Sequence, residues 1–126
     1  MAKQILVVHD DQLFLTMMEL RLGMEGFRAI TCRSFEEGIR LFEHLKPDLV
    51  LLSSEIPEMS PENTFERMQA INPDCRIVLI DVGRSMAATD GSESSEMDGV
   101  FKKLGQFEML ITNIKSAFES GAYSSA

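Results

Sequence analysis

The chain has 126 residues, of which 44% are hydrophobic and 25% are charged, and its formal net charge at pH 7 is −8. This length and composition are typical of one soluble domain with its own hydrophobic core, and they exclude a disordered or fibrous chain. The negative charge repels phosphate backbones and anionic lipids, which argues against direct binding of nucleic acids or membranes.

The amino-terminal stretch has the pattern of a buried strand that ends in polar residues. Residues 4–8 are mostly apolar without alternation, as in a parallel sheet covered on both faces, and His9, Asp10 and Asp11 follow them. The chain leads straight into this strand without a signal peptide, and no apolar run approaches the roughly 20 residues that span a bilayer. We therefore expect a cytoplasmic location.

The first helix is predicted between Asp11, which can serve as its N-cap, and Gly26, which can end it. One line of apolar residues at helical spacing consists of Leu13, Met17, Leu20 and Met24. Four further apolar residues lie off that line, namely Phe14, Leu15, Met18 and Leu22. A helix that is apolar beyond one face is either deeply packed or in contact with a partner.

A second strand is predicted over residues 27–32, before a helix that opens with the capping box Ser34 to Glu37. The inner face of this helix should carry Phe35, Ile39, Phe42 and Leu45. The third strand, residues 49–52, is apolar on both faces and so belongs in the centre of the sheet. It stops at Ser53, at the edge where open α/β sheets place their ligands and chemistry.

The second half of the chain continues the alternation of helices and strands. Ser60 and Pro61 start a third helix, and a fourth strand over residues 76–82 is apolar until Asp81. The inner face of that helix should consist of Phe65, Met68 and Ile71.

The last third of the sequence is less regular. Residues 83–97 are rich in Ser, Gly, Asp and Glu, which predicts a loop with at most a short helix. A brief fifth strand is predicted over residues 99–102, and an amphipathic helix over residues 106–119. The inner face of this last helix should consist of Phe107, Leu110, Ile111, Ile114 and Phe118.

Five strand-and-helix units predict a doubly wound parallel sheet, (βα)5, with strand order 2-1-3-4-5. We expect one domain over residues 1–120 and a flexible tail or the start of a linker over residues 121–126. The carboxyl ends of strands one, three, four and five converge in such a sheet. They should gather His9, Asp10, Asp11, Ser53, Asp81 and either Lys102 or Lys103.

At this edge the chain resembles the receiver domain of two-component response regulators, a flavodoxin-like fold, over nearly its whole length. The resemblance rests on ILVVHDD at the first strand, PDLVLLSSEIPEM around the third strand and FKK before the last helix. The proline of the family lies four residues beyond its phosphoacceptor aspartate, as Pro57 lies four residues beyond Ser53.

The resemblance implies an altered site. Receiver domains hold a magnesium ion with two acidic residues and the phosphoacceptor aspartate, and they grip the phosphoryl group with a lysine and a hydroxyl. In this chain the family positions fall on His9 and Asp10 for the two acids, Ser53 for the acceptor, Asp81 for the hydroxyl, Val100 for the switching aromatic residue and Lys103 for the lysine. By this comparison Asp10 and Lys103 are what remains of the site.

These replacements have chemical consequences. A serine hydroxyl is a poor nucleophile without an adjacent base, so we predict that Ser53 is not phosphorylated as an aspartate would be. We expect no cofactor, and Mg²⁺ binding should be weak or lost because Asp10 is the one family carboxylate ligand that remains. Asp81 adds negative charge where a phosphoryl group would lie. Lys103 is predicted to pair with Asp81 or Asp10 in one fixed state.

Other interpretations of the same residues have less support. A transition-metal site at His9, Asp10 and Asp11 is disfavoured because consecutive residues at a strand end point in alternating directions. A nucleophilic triad of Ser53, His9 and Asp10 lacks the glycine-flanked turn that exposes such a serine. Glu55 would face the mouth of the pocket, most simply as a solvated loop acid.

The sequence thus predicts a pseudo-receiver that is not an enzyme and acts as a phosphorylation-independent protein-interaction module in signal transduction. Its partner would be a signalling protein such as a histidine kinase, or a fused output domain, bound through the first or last helix, and a homodimer is a further arrangement. The alternative is an unconventional receiver, phosphorylated at Asp10 or Asp81 or switched by a ligand in its rearranged acidic pocket. A sensor of metals or small ligands is a third hypothesis.

Overall fold

The computed structural model describes residues 2–53, 61–80 and 96–119. In chain order the elements are β1 (Gln4–Val8), α1 (Gln12–Met24), β2 (Arg28–Cys32), α2 (Phe35–Leu45), β3 (Leu49–Ser53), α3 (Pro61–Ile71), β4 (Arg76–Ile80) and α4 (Glu96–Glu119). The four strands form one parallel sheet in the order β2-β1-β3-β4. The predicted α/β architecture and the 2-1-3-4 part of the strand order are confirmed.

The central strands carry consecutive apolar residues, Ile5 to Val8 in β1 and Leu49 to Leu52 in β3, because helices cover both faces of the sheet. Ile5 and Val7 of β1 pack on one side with residues of α1 and α4. Leu6 and Val8 pack on the other side with residues of α2 and α3. Burying each such side chain contributes roughly 1.5–3 kcal/mol to stability relative to leaving it in water. The central strands β1 and β3 therefore stabilise the fold.

Helix α1 begins where the sequence predicts, and it turns an unexpected face to solvent. The Asp11 carboxylate caps it by accepting hydrogen bonds from the backbone N–H groups of Leu13 (3.0 Å) and Phe14 (3.3 Å). The buried residues are the off-line set Phe14, Leu15, Met18 and Leu22. The line at helical spacing faces outward instead, with Leu13 42% exposed, Leu20 64% and Met24 76%, and Met17 partly buried. We call Leu13, Met17, Leu20 and Met24 the α1 outer face.

Helices α2 and α3 pack on the opposite side of the sheet. The capping box of α2 is confirmed in its first half, since the Ser34 hydroxyl accepts a hydrogen bond from the Glu37 N–H at 3.1 Å. Ile71, predicted to face inward on α3, is 43% exposed. As the last residue of α3 it borders an open groove beside Phe42 and Lys46. The groove has a volume of about 290 Å³.

The prediction of a strand over residues 99–102 is wrong. Residues 99–102 lie in α4, which begins at Glu96 and not at residue 106. The sequence offers a reason, since Met97, Phe101, Leu104, Phe107 and Ile111 follow one another at spacings of three or four residues. A helical period therefore extends upstream of the predicted helix start. The loop predicted over residues 83–97 falls outside the described residues except at its last two positions, which belong to α4.

Helix α4 is attached to α1 by both core packing and charge. Phe107, Ile111 and Ile114 are buried against the sheet as predicted.

None of the described helices is long and apolar enough to cross a membrane.

An exposed charge network joins the same two helices. The Arg21 guanidinium donates to Glu25 at 3.1 Å and to Glu108 at 2.7 Å, and the Lys115 ammonium lies 2.9 Å from Glu25. Hydrogen bonds from Lys115 and Arg21 lower the pKa of the Glu25 carboxyl, and one from Arg21 lowers the pKa of Glu108. Both cations at this junction are thus engaged with carboxylates.

Candidate functional site

The candidate site lies at the carboxyl ends of β1 and β3. Val8 pairs with Leu52, so the next residues of the two strands, His9 and Ser53, end at the same edge of the sheet. Both are buried, each with 1% of its surface exposed. The predicted juxtaposition of His9 and Ser53 is therefore present.

Ser53 is the last residue of β3 and pairs with Ile80 of β4. Asp81 follows Ile80 in the chain and Glu55 follows β3, and both lie outside the described residues. Val100 and Lys103 are in the first part of α4, residues 96–105, where only the backbone is described, so the predicted Lys103 ion pair stays a prediction.

The His9 ring is held by the start of α1. Its Nδ1 atom accepts a hydrogen bond from the Asp11 backbone N–H at 3.0 Å. Asp10 Oδ1 lies 3.5 Å from the same nitrogen. A nitrogen that accepts from an N–H carries no proton, so this approach is not an ion pair, and the ring is the neutral tautomer protonated on Nε2. The expectation of a hydrogen-bonded histidine, rather than a metal ligand, agrees with this geometry.

Two residues near this edge were missed by the sequence reasoning. The Arg33 guanidinium, from the loop after β2, donates to the Asp10 carbonyl oxygen at 3.1 Å. The Phe14 ring lies against His9, with 4.5 Å between ring centroids. Arg33 could have been predicted from its position in the sequence, because it directly follows β2 and so lies at the same edge of the sheet.

Magnesium, the ion that the receiver resemblance implies, does not fit the donors that the structure describes. Mg²⁺ prefers an octahedron of hard oxygen atoms. This edge supplies the Asp10 carboxylate, the His9 Nδ1 atom, which already accepts a hydrogen bond from a backbone N–H, and the buried Ser53. Among the described residues, no three His, Cys, Asp or Glu side chains are placed to hold a metal ion. Each buried side-chain nitrogen and oxygen in this part of the chain already has a hydrogen-bond partner.

The nucleophilic triad is also unsupported by the geometry. Ser53 is 1% exposed, so its hydroxyl lies away from solvent and from a macromolecular substrate. In a catalytic triad the histidine Nδ1 carries a proton and donates a hydrogen bond to the orienting carboxylate. His9 Nδ1 instead accepts a hydrogen bond from the Asp11 N–H, so it has no proton to donate. Burial likewise makes Ser53 a poor substrate for a protein kinase.

The family model of the response regulator receiver domain matches residues 5–115. The chain belongs to the response regulator receiver domain family. Membership places it in two-component signalling and agrees with the resemblance seen in its motifs.

This receiver domain is similar to transcriptional regulators and to solved receiver domains. It is 29% identical to the transcriptional regulatory protein GlrR of Escherichia coli strain K12 over 118 residues, which cover 94% of this chain and 27% of GlrR. The chain thus spans about a quarter of that protein. Among solved structures, TrrA of Thermotoga maritima in complex with Mg²⁺ and BeF matches with TM-score 0.60 and 25% identity, over 83% of this chain and 98% of TrrA.

A second structure pairs TrrA with a protein partner. The complex of the histidine kinase ThkA with TrrA matches this receiver domain with TM-score 0.59 and 24% identity, over 83% of this chain and 97% of the matched chain. Ser53, the residue that the resemblance aligns with the family's acceptor aspartate, is the last residue of β3.

Proposed function

We propose that this receiver domain is a pseudo-receiver, which binds a protein partner in signal transduction without phosphoryl transfer and without bound Mg²⁺. The observation that carries the proposal is the buried serine at the end of β3, where the family places its acceptor aspartate. A neutral hydroxyl there supplies neither an anionic nucleophile nor a carboxylate ligand for a cation. His9, in place of the first acid, removes a second carboxylate.

Phosphoryl labelling tests this proposal. After incubation with acetyl phosphate and MgCl₂, the intact mass of the purified chain should stay unchanged, while TrrA treated in parallel should gain one phosphoryl group. A gain that disappears in Ser53→Ala would make the serine an acceptor. A gain that survives in Ser53→Ala and disappears in Asp10→Asn would establish the alternative, a receiver with a relocated acceptor.

The α1 outer face is the surface we propose for the partner. Its apolar residues extend over 12 helical positions from Leu13 to Met24, a strip about 16 Å long that suits one helix of a partner. Arg21 is engaged by Glu25 and Glu108, whereas Glu19 on the same helix is exposed. We infer a helical partner with apolar residues and a basic rim, of the histidine kinase class or in a fused output domain.

Charge substitutions on the α1 outer face test this surface. Leu20→Glu combined with Met24→Glu should weaken binding to the helical hairpin domain of a histidine kinase by at least about tenfold, because buried apolar contacts would be replaced by charges. The probe is a panel of such domains measured by calorimetry. Met109→Glu is the matched control, since Met109 is 66% exposed on α4 and should leave affinity unchanged. Equal affinity for the double variant and the control would exclude this face.

A further inference from the structure

His9 is held in place by three contacts within the chain. Nδ1 accepts a hydrogen bond from the Asp11 N–H, and Asp11 in turn caps α1. The ring also lies 4.5 Å from the Phe14 ring, at an interplanar angle of 35°. Its backbone N–H donates to Cys32 at the end of β2, at 3.1 Å. The residue therefore connects β1, β2 and α1 at the sheet edge.

The contact extends from α1 to α4. Phe14 meets Phe107 edge to face, with centroids 5.9 Å apart and an interplanar angle of 88°. Phe14 and Phe107 are both fully buried, so His9, Phe14 and Phe107 form a continuous row of rings from the sheet edge to the last helix. Such packed rings hold the start of α1 in one position.

A carboxylate at position 9 would behave differently from the imidazole. It would be buried beside Asp10, whose carboxylate lies 3.5 Å from His9 Nδ1. Two nearby carboxylates, one of them buried, repel each other, and a divalent cation bound between them would relieve the repulsion. The neutral imidazole adds no charge and still accepts the Asp11 N–H.

We infer that His9 is a built-in substitute for the divalent cation of the site, which holds the carboxyl edge and the start of α1 in place without metal. This inference rests on the proposed absence of phosphoryl transfer and assigns His9 as a positioning residue for the α1 outer face. The side chains present do not suit the implied Mg²⁺ ion, and by this inference His9 takes over the structural role of that ion.

Thermal unfolding of the full chain with and without about 20 mM MgCl₂, against KCl of equal ionic strength, tests the inference. The midpoint temperature of the unsubstituted chain should not respond to Mg²⁺. His9→Asp should unfold at a lower temperature and regain roughly 5 °C with Mg²⁺. His9→Asn, whose side-chain oxygen can replace Nδ1 as acceptor without charge, should stay insensitive to Mg²⁺. A merely structural histidine would not create this cation dependence.

A second variant covers the case in which His9→Asp does not fold. His9→Asp combined with Asp10→Asn removes the neighbouring carboxylate, so it should fold and be indifferent to Mg²⁺. The inference is overturned if the unsubstituted chain is stabilised by Mg²⁺, if His9→Asp matches it in stability and response, or if the double variant remains as unfolded as His9→Asp alone. Acetyl phosphate labelling is independent of these temperatures, so the proposed function and the role of His9 can fail separately.

Discussion

Gly38→Leu is expected to lower the free energy of unfolding by roughly 3 kcal/mol or more, because α2 lies directly on β1 at this glycine. A Cβ atom at Gly38 would stand 2.9 Å from Val8 Cγ2 and 3.5 Å from Cys32 Sγ. Larger side chains would have to push the helix away from the sheet. Val8 immediately precedes His9, so the displacement would reach the candidate site as well.

The control for this substitution is the same change on the opposite layer. Gly23 lies in α1, and a Cβ atom there would meet nothing within 4 Å. Gly23→Leu should therefore raise the free energy of unfolding by up to about 1 kcal/mol, since leucine favours the helix more than glycine does. Urea unfolding of the two variants measures both effects. Equal effects of the same sign would show that α2 does not approach β1 this closely.

Leu22→Ala is expected to cost about 2–5 kcal/mol of stability, whereas Leu20→Ala should cost less than about 0.5 kcal/mol. The two leucines lie two residues apart on α1, with Leu22 fully buried and Leu20 64% exposed. The same substitution on the same helix changes helix propensity equally, so the difference reports burial. Denaturant unfolding with a common slope measures it, and a larger cost at Leu20 would mean that the helix turns its other face to the sheet.

The exposed leucine and methionine side chains of α1 acquire a meaning beside the altered site. In the proposed pseudo-receiver, Ser53 and His9 stand where the resemblance places two carboxylates, so a cation or a phosphoryl group would lack its usual partners. An apolar helix face exposed to water marks a site of interaction with a partner. Helix α1 has two apolar faces, so one can pack in the core while the other contacts the partner. The proposed interaction function joins these two observations.

Part of the site followed from sequence rules of wide validity. His9 and Ser53 were predicted to meet because polar residues that end parallel strands gather at one edge, and the register of β1 with β3 agrees. The hydrogen bond from the Asp11 N–H to His9 and the reach of Arg33 to Asp10 were not predictable. Both depend on side-chain directions that arise only when β1, β2 and α1 are packed together.

The sequence by itself determined the parallel sheet, the 2-1-3-4 order of its strands and the caps of α1 and α2, because continuous apolar runs, crossover handedness and capping residues act locally or by general rule. Only the tertiary structure decided which apolar face of α1 meets the sheet and where α4 begins. Leu20 and Leu22 each belong to a line of apolar residues at helical spacing, so the spacing alone does not say which of them is buried. Packing against the sheet and α4 buries Leu22 and leaves Leu20 exposed. A stretch as short as residues 99–102 likewise fits a strand or a helix, and the longer helical period of the surrounding residues decides for the helix α4.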